Sequence, residues 1–243
     1  MISRLAWDSL CFGYEVGMAT VASELDLQQF MEESAAFQLV YIFSKNELRS
    51  LPLSIKKVDE KITLQTSLDS FKGAFKIDQN VFKGQISGLD SLNNDVLNVH
   101  RGNFQREFLD LGLMSGEYSR FRSDDRLVTG EYEKLYYTWA ERGLKGNDDG
   151  FVFLRDNKII GLITLASNGN GSFKVGLLAV LSDCRQQGVG SILIDLVCGR
   201  ARERAGRELQ VTTQKANKTA YNFYLNRGFT VYDEQHVYHW WKG

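Results

Sequence analysis

Three adjoining pieces decide how this chain folds: the run Phe173-Lys174-Val175-Gly176-Leu177-Leu178-Ala179-Val180, the turn Arg185-Gln186-Gln187-Gly188-Val189-Gly190, and the stripe Val189, Ile192, Leu193, Leu196, Val197 and Ala201. The run reads as a strand. The stripe recurs at i, i+3, i+4 and i+7 and reads as an amphipathic helix. Between them, Gly188 and Gly190 permit close backbone approach and unusual dihedrals. The helix start offers backbone amides and a favourable dipole to a phosphate. The turn lacks the Gly-x-x-x-x-Gly-Lys-Ser/Thr of a triphosphate loop, and it lacks the third glycine and downstream acid of a dinucleotide fingerprint. Taken alone, it suits a tight strand-to-helix connection as well as a phosphate cradle.

About thirty residues on comes Asn217-x-x-Ala220-x-x-x-Tyr224-x-x-x-Gly228-Phe229. On a helix, Asn217, Ala220, Tyr224 and Gly228 fall on roughly one stripe. The small Ala220 leaves room for a ligand along that stripe. Asn217 reads either as a donor and acceptor for an amide of a pantetheine arm or as a plain N-cap. Tyr224 reads either as a proton donor or as a core aromatic with a tied hydroxyl.

Outward from these motifs the order over the second half is ααβββαβαβ. Helical spacing marks Phe104, Phe108, Leu111 and Met114, then Tyr132, Leu135, Tyr136, Trp139 and Ala140 up to Gly143. Arg155-Asp156-Asn157-Lys158 separates two apolar runs as a hairpin turn. A short strand at 209–213, a helix at about 217–227 and a last strand at 229–240 complete the pattern. In the first third, Phe37–Phe43 reads as a buried strand and Lys61–Thr66 as a half-exposed one. Patterning weakens between Gly84 and Val99, which predicts a smaller N-terminal α/β domain at 1–95 and a second domain at 96–243.

Composition excludes several classes. A formal charge of −1 without a basic block argues against nucleic acid and anionic membrane partners. Cys11, Cys184 and Cys198 lack metal or redox spacing and suit a reducing cytoplasm. No run is long and apolar enough to span a bilayer, and the N-terminus lacks a basic-then-apolar signal. A cytoplasmic enzyme without a metal is the expectation.

The paired motifs resemble those of the GNAT acetyltransferase superfamily across residues 100–243. That resemblance implies a mixed α/β fold with a splayed, mostly antiparallel central sheet flanked by helices, and acetyl-coenzyme A or another acyl-coenzyme A in the splay. The implied carrier-binding residues are Leu178, Ala179 and Val180 of the strand, then Arg185, Gln186, Gln187, Gly188, Val189, Gly190 and Ser191 of the turn, with Asn217 and Ala220 beyond. Tyr224 takes the place of the general acid.

A patchier similarity to the dTDP-fucosamine acetyltransferase family rests on Leu5-Ala6-Trp7-Asp8-Ser9-x-x-Phe12-Gly13, Ser119-Arg120-Phe121 and Gly176-Leu177-Leu178-Ala179. It implies transfer to the amine of a dTDP-linked aminosugar. Arg120, Arg122 and Arg126 are natural diphosphate partners, although the loop 119–126 reads equally as a solvated surface balanced by Asp124 and Asp125. Trp7, Phe12 and Phe121 stack on the nucleotide or pack in the core. No cysteine or serine sits as a nucleophile, so direct attack in a ternary complex is expected. A phenol near pKa ~10 serves a thiol near ~8.5 as acid at pH 7. The general base stays open among His100, Glu107, Glu117 and Asp124. Acceptors in the form of a protein N-terminus, an antibiotic or a small amine remain alternatives, as does a carrier-binding module without turnover. A homodimer formed through the aromatic strand Tyr238-His239-Trp240-Trp241 is also open.

Overall fold

The computed structural model describes residues 2–23, 26–71, 94–127, 130–156 and 158–243, with 27–29 and 94–103 described by their backbone alone. Its strands are β1 (Ser3–Arg4), β2 (Val16–Thr20), β3 (Leu39–Ser44), β4 (Ile55–Ser67), β5 (Asp149–Arg155), β6 (Lys158–Gly169), β7 (Ser172–Val180), β8 (Glu208–Gln214) and β9 (Thr230–Trp241). The helices are α1 (Ala6–Phe12), α2 (Asp26–Glu33), α3 (Asn94–Met114), α4 (Arg120–Ser123), α5 (Glu131–Leu144), α6 (Val189–Glu203) and α7 (Lys218–Asn226). Alternating or continuous apolar runs make the strands, and 3.6-residue stripes make the helices.

These strands form one sheet in the order β1-β2-β3-β9-β4-β8-β7-β6-β5. All neighbours are antiparallel except β2 with β3 and β7 with β8. The predicted division at residue 95 does not divide this sheet, because β4 lies between β9 and β8 and is hydrogen-bonded to both. Residues 1–95 therefore do not form a sheet of their own. The expected pairing of the aromatic C-terminal strand between subunits has no open edge: Val237–Trp241 has β3 on one side and residues 54–59 on the other.

Each face of the sheet carries its own core. Phe153, Ile163, Val175, Leu193, Val197, Val211, Tyr224 and Phe229 pack beneath α6 and α7. Tyr41, Phe108, Leu135, Leu162, Leu177 and Trp241 pack beneath α3, α4 and α5. The 119–126 stretch, expected as a polar loop, folds in its first half into α4. Ser119 C=O accepts the N–H groups of Arg122 and Ser123 at 2.9 and 3.1 Å, and Phe121 is drawn into the core.

The rest of that stretch is pinned by a buried charge. Asp124 Oδ2 accepts from Trp241 Nε1 at 2.9 Å and lies 2.6 Å from His239 Nδ1, while its Oδ1 accepts the Arg126 N–H. Burial opposes the carboxylate, but these donors outweigh it and bring its pKa down to about 2. Burial holds the His239 ring neutral, with its pKa lowered to about 4 against the pull of Asp124. An unfolded chain takes up the histidine proton first, at the ordinary 6.5. Stability from this pair is therefore complete above pH 6.5 and declines as pH falls toward 4. A further loss follows between 3.8 and about 2, as Asp124 protonates. In urea unfolding between pH 7 and pH 4.5 the parent will lose about 2–3 kcal/mol more than His239→Gln does; equal slopes for both proteins contradict the assignment.

Candidate active site

β7 and β8 run in register from Ser172 opposite Glu208 to Val175 opposite Val211, and then separate. The cause lies on the other edge of β7. Ile163 and Leu165 of β6 face Leu178 and Val175, so β7 carries one extra residue at Gly176–Leu177. Leu177 N–H, which has lost its regular carbonyl partner, donates to Thr164 Oγ1 at 2.9 Å. A Cβ on Gly176 would stand 2.7 Å from that oxygen, so glycine is what the bulge admits.

Beyond the bulge, Leu181 N–H donates to Ile160 C=O, which puts the peptide groups of Leu181 and Ala179 on the β6 side. Antiparallel alternation then turns the N–H and C=O of Leu178 and Val180 the other way, into the gap. Of the three predicted strand residues, Leu178 and Val180 offer amides there, while Ala179 spends its peptide groups on Leu162.

Below the gap, Gln186 at φ 61° and Gly188 at φ 83° turn the chain into α6. The first-turn amides of Val189, Gly190 and Ser191 lack intrahelical partners by geometry. Val189 is buried, and a Cβ at Gly161 would meet it at 2.9 Å, so that glycine lets the helix start sit close on β6. Arg185 Nε donates to the gap-facing Val180 C=O at 3.1 Å, and Gln187 Nε2 donates to Asp183 C=O at 2.9 Å. Arg155, a cation that the sequence reading passed over, reaches this turn through Gln187 Oε1 at 2.6 Å.

On α7, Asn217 is an N-cap: its side-chain oxygen accepts the Ala220 N–H at 3.0 Å. Its NH₂ group makes no bond among the described residues. Tyr224 is 5% exposed, with its ring against Phe223 and Phe229. No described group bonds its hydroxyl, and burial raises its pKa well above 10, so it stays protonated.

The opposite face of the sheet at this level is polar. Asp59, Lys61, Thr63 and Gln65 alternate with the buried Ile62 and Leu64 on β4, and Gln210, Thr212 and Gln214 do the same on β8. Lys174 joins them from β7. A cavity of about 730 Å³ opens at its end, lined by Asp59, Glu117, Tyr118, Arg122 and Lys215 among others. Asp59 forms no ion pair among the described residues, and burial pushes its pKa up to about 6 even with Arg120 nearby. Sequence reading missed Asp59, Lys61 and Lys174. The signal was available, since alternation continued from Ile62 and Leu64 places Asp59 and Lys61 together on the sheet's polar side.

The other predicted acceptor residues divide. Arg120 is not in the cavity lining, and its guanidinium lies 4.2 Å from the Phe121 ring and 4.8 Å from that of Tyr41. Arg122 lines the cavity. Phe121 is 2% exposed, which removes it as a stacking surface for a ligand; Phe12 packs on its edge. Trp7 is 40% exposed and stacks on Trp139. Of the base candidates, Asp124 is committed to His239 and Trp241, and Glu107 accepts the Ile159 N–H at 2.9 Å. Glu117 remains at the cavity, and the His100 side chain lies outside the described residues.

Residues 116–229 match the acetyltransferase (GNAT) family. The chain is 33% identical over 81 residues to streptothricin acetyltransferase A of Bacillus subtilis (strain 168); the match covers 33% of this chain and 47% of that relative, so the chain spans about half the length of the curated relative it matches. A GCN5-related N-acetyltransferase from Kribbella flavida superposes with a TM-score of 0.53 at 10% identity, over 94% of this chain and 82% of that one. A functionally unknown conserved protein from Staphylococcus epidermidis superposes with a TM-score of 0.56 at 12% identity, over 94% and 84%. The mixed α/β architecture is the fold of GNAT proteins, as the sequence predicted.

Thr164→Val keeps side-chain shape but leaves the Leu177 N–H without an acceptor inside the sheet. We expect a loss of about 1–3 kcal/mol in urea unfolding and weaker coenzyme A binding by calorimetry. An unchanged midpoint would remove the hydroxyl as the cause of the bulge.

Proposed function

We propose, from the GNAT acetyltransferase match across residues 116–229, that this protein transfers an acetyl or longer acyl group from acyl-coenzyme A to the amine of a nucleotide-linked aminosugar, with dTDP-aminosugars first in line. The observation that carries the transferase reading is the parting of β7 from β8 after Val175 and Val211, with the Leu178 and Val180 amides turned into the opening. The site fits an acyl-pantetheine carrier. Unpaired strand amides match the amides of its arm, and the Arg185–Ser191 turn with Arg155 beside it offers donors and positive charge to its phosphates.

The carrier supplies the thioester, and the chain's own residues handle the protons. Leu178 and Val180 N–H groups stabilise negative charge on the carbonyl oxygen during attack. The neutral amine forms the new C–N bond, the C–S bond breaks, and the sulfur takes a proton from the Tyr224 hydroxyl. The proton leaving the amine passes to Asp59, directly or through water. A carboxylate whose pKa lies near 6 is a better base than an ordinary aspartate and remains ionised at pH 7.

Support for an anionic, nucleotide-bearing acceptor comes from Arg122, which lines the cavity, and from Arg120 on the same short helix. The streptothricin acetyltransferase relative favours a second reading, an antibiotic amine as acceptor, because it is the named protein with the higher identity. A free-thiol assay with acetyl-coenzyme A across dTDP- and UDP-aminosugars and streptothricin separates the two. Turnover with streptothricin and none with the sugars would reverse the order.

Tyr224→Phe should cut turnover by about 10²-fold or more while coenzyme A affinity stays within a few-fold. With Asp59 as base, kcat/KM rises with pH through about 6, and Asp59→Asn removes that limb. A retained limb assigns the base elsewhere.

A further inference from the structure

We propose that Lys61, Lys174 and Arg120 form an anion subsite that takes the phosphate or diphosphate of the acceptor. The inference rests on the acceptor reading above. It moves the anion inward from the exposed 119–126 surface onto the polar floor of the sheet.

The three residues arrive from three elements. Lys61 on β4 lies opposite Gln214 of β8, and Lys174 on β7 lies opposite Gln210 of the same strand. The two lysines therefore flank β8, on the side where Gln210, Thr212 and Gln214 point. Because β7 and β8 run parallel and their pairing ends at Val175 and Val211, Gln214 and its neighbour Lys61 lie past the last paired residues, where the gap is open. Arg120 on α4 closes the floor from the other side. Its guanidinium lies 5.7 Å from the Phe43 ring, and Lys61 Nζ lies 5.4 Å from the same ring.

These cations share an unusual lack of partners. Lys174 and Arg120 make no hydrogen bond or ion pair among the described residues, and Arg120 Nε is fully buried without an acceptor. Lys61 has one neutral contact, Gln235 Oε1 at 3.2 Å. The nearby carboxylates make no ion pair with them among the described residues. Asp8 accepts from Tyr41, Asp124 from Trp241 and the Arg126 amide, and Asp59 is close enough for its charge to act on Lys61 and Arg120 without bonding either. Lys45 is paired with Asp233. Removing water from a cation without supplying an anion is costly, and three cations together compound it through mutual repulsion. The like charges on Lys61 register this, since burial, Lys174, Arg120 and Lys45 bring its pKa down to about 8 against the pull of Asp59. Lys174 is lowered by burial and by Arg120. A dianionic or more highly charged group bound among them removes the repulsion and supplies the missing acceptors. A single carboxylate offers less charge than the three cations call for.

The test is calorimetric titration of inorganic pyrophosphate, and separately of succinate, into the full chain with and without saturating coenzyme A. Coenzyme A fills the Arg185–Ser191 turn, so pyrophosphate binding that survives it reports the second locus. Lys61→Met, Lys174→Met and Arg120→Met should each weaken that binding by about tenfold or more, with coenzyme A affinity unchanged and urea midpoints equal to or above the parent's. The two methionine-for-lysine variants remain informative if Arg120→Met fails to fold. No pyrophosphate binding beside coenzyme A, or binding that these substitutions leave intact, overturns the subsite. Tighter binding of succinate than of pyrophosphate overturns the phosphate class. Failure of coenzyme A itself to bind rejects the transferase reading instead, since the lysine variants still locate any pyrophosphate site in its absence.

Discussion

Where β7 carries one more residue than β6, the Leu177 amide finds a side-chain hydroxyl in place of a carbonyl, and that contact bends the strand. Strand pairing with β8 then stops, although both chains continue for several residues. The amides of Leu178 and Val180 are left facing an opening that the core cannot fill, because they belong to the sheet edge and not to a side-chain layer. Gly176 is constrained to glycine by Thr164, and Gly161 by Val189, so the bulge and the helix start below it depend on the same two strands. The gap is thus a consequence of packing as much as of the turn after it.

The two faces of the sheet divide the chemistry. Under α6 and α7 the surroundings of the gap are apolar, and Tyr224 is the polar group embedded there. Under α3, α4 and α5 the floor next to the gap is polar and charged, while the core resumes farther along at Tyr41, Leu162 and Leu177. Asp124 joins these regions. By holding His239 and Trp241 of β9, it fixes the end of α4, and so it fixes the ring-lined position of Arg120 one turn earlier. Removing Asp124 would leave its buried donors without an acceptor, so the carboxylate is committed to holding the fold.

Most of the architecture was legible because periodicity is local. β7, the turn, α6, β8 and α7 fall within a few residues of their predicted limits, and the helix at 131–144 stops where Gly143 implied. What sequence did not reveal was long-range. Nothing in 55–67 says that this strand inserts between β9 and β8, since an all-round match of hydrogen bonds looks the same in any sheet. The weak patterning at 84–99 therefore looked like a domain limit. Arg120 was legible as a candidate anion partner, but the lysines proposed beside it were not, because Lys61 and Lys174 are separated by more than a hundred residues and flank β8 from different strands. For Phe121 the sequence leaves stacking on a ligand and core packing open, and α4 decides for the core by turning the ring inward.

The burial that isolates Tyr224 raises the question of whether it can still give up its proton. A phenol pushed above its ordinary pKa is a weaker acid than a free thiol, which on its face favours a thiolate leaving without help. The same dry surroundings act on both partners, however. Desolvation penalises whichever of the two is charged, so a thiolate formed in this gap is also a stronger base than one in water. What matters is the difference between them. A hydroxyl with no competing bond among the described residues is free to donate to sulfur as charge develops, whereas a phenol tied to a carbonyl would first have to break that bond. For the proposed acid role, the hydroxyl's freedom from other described partners therefore weighs more in favour of Tyr224 than its raised pKa weighs against it.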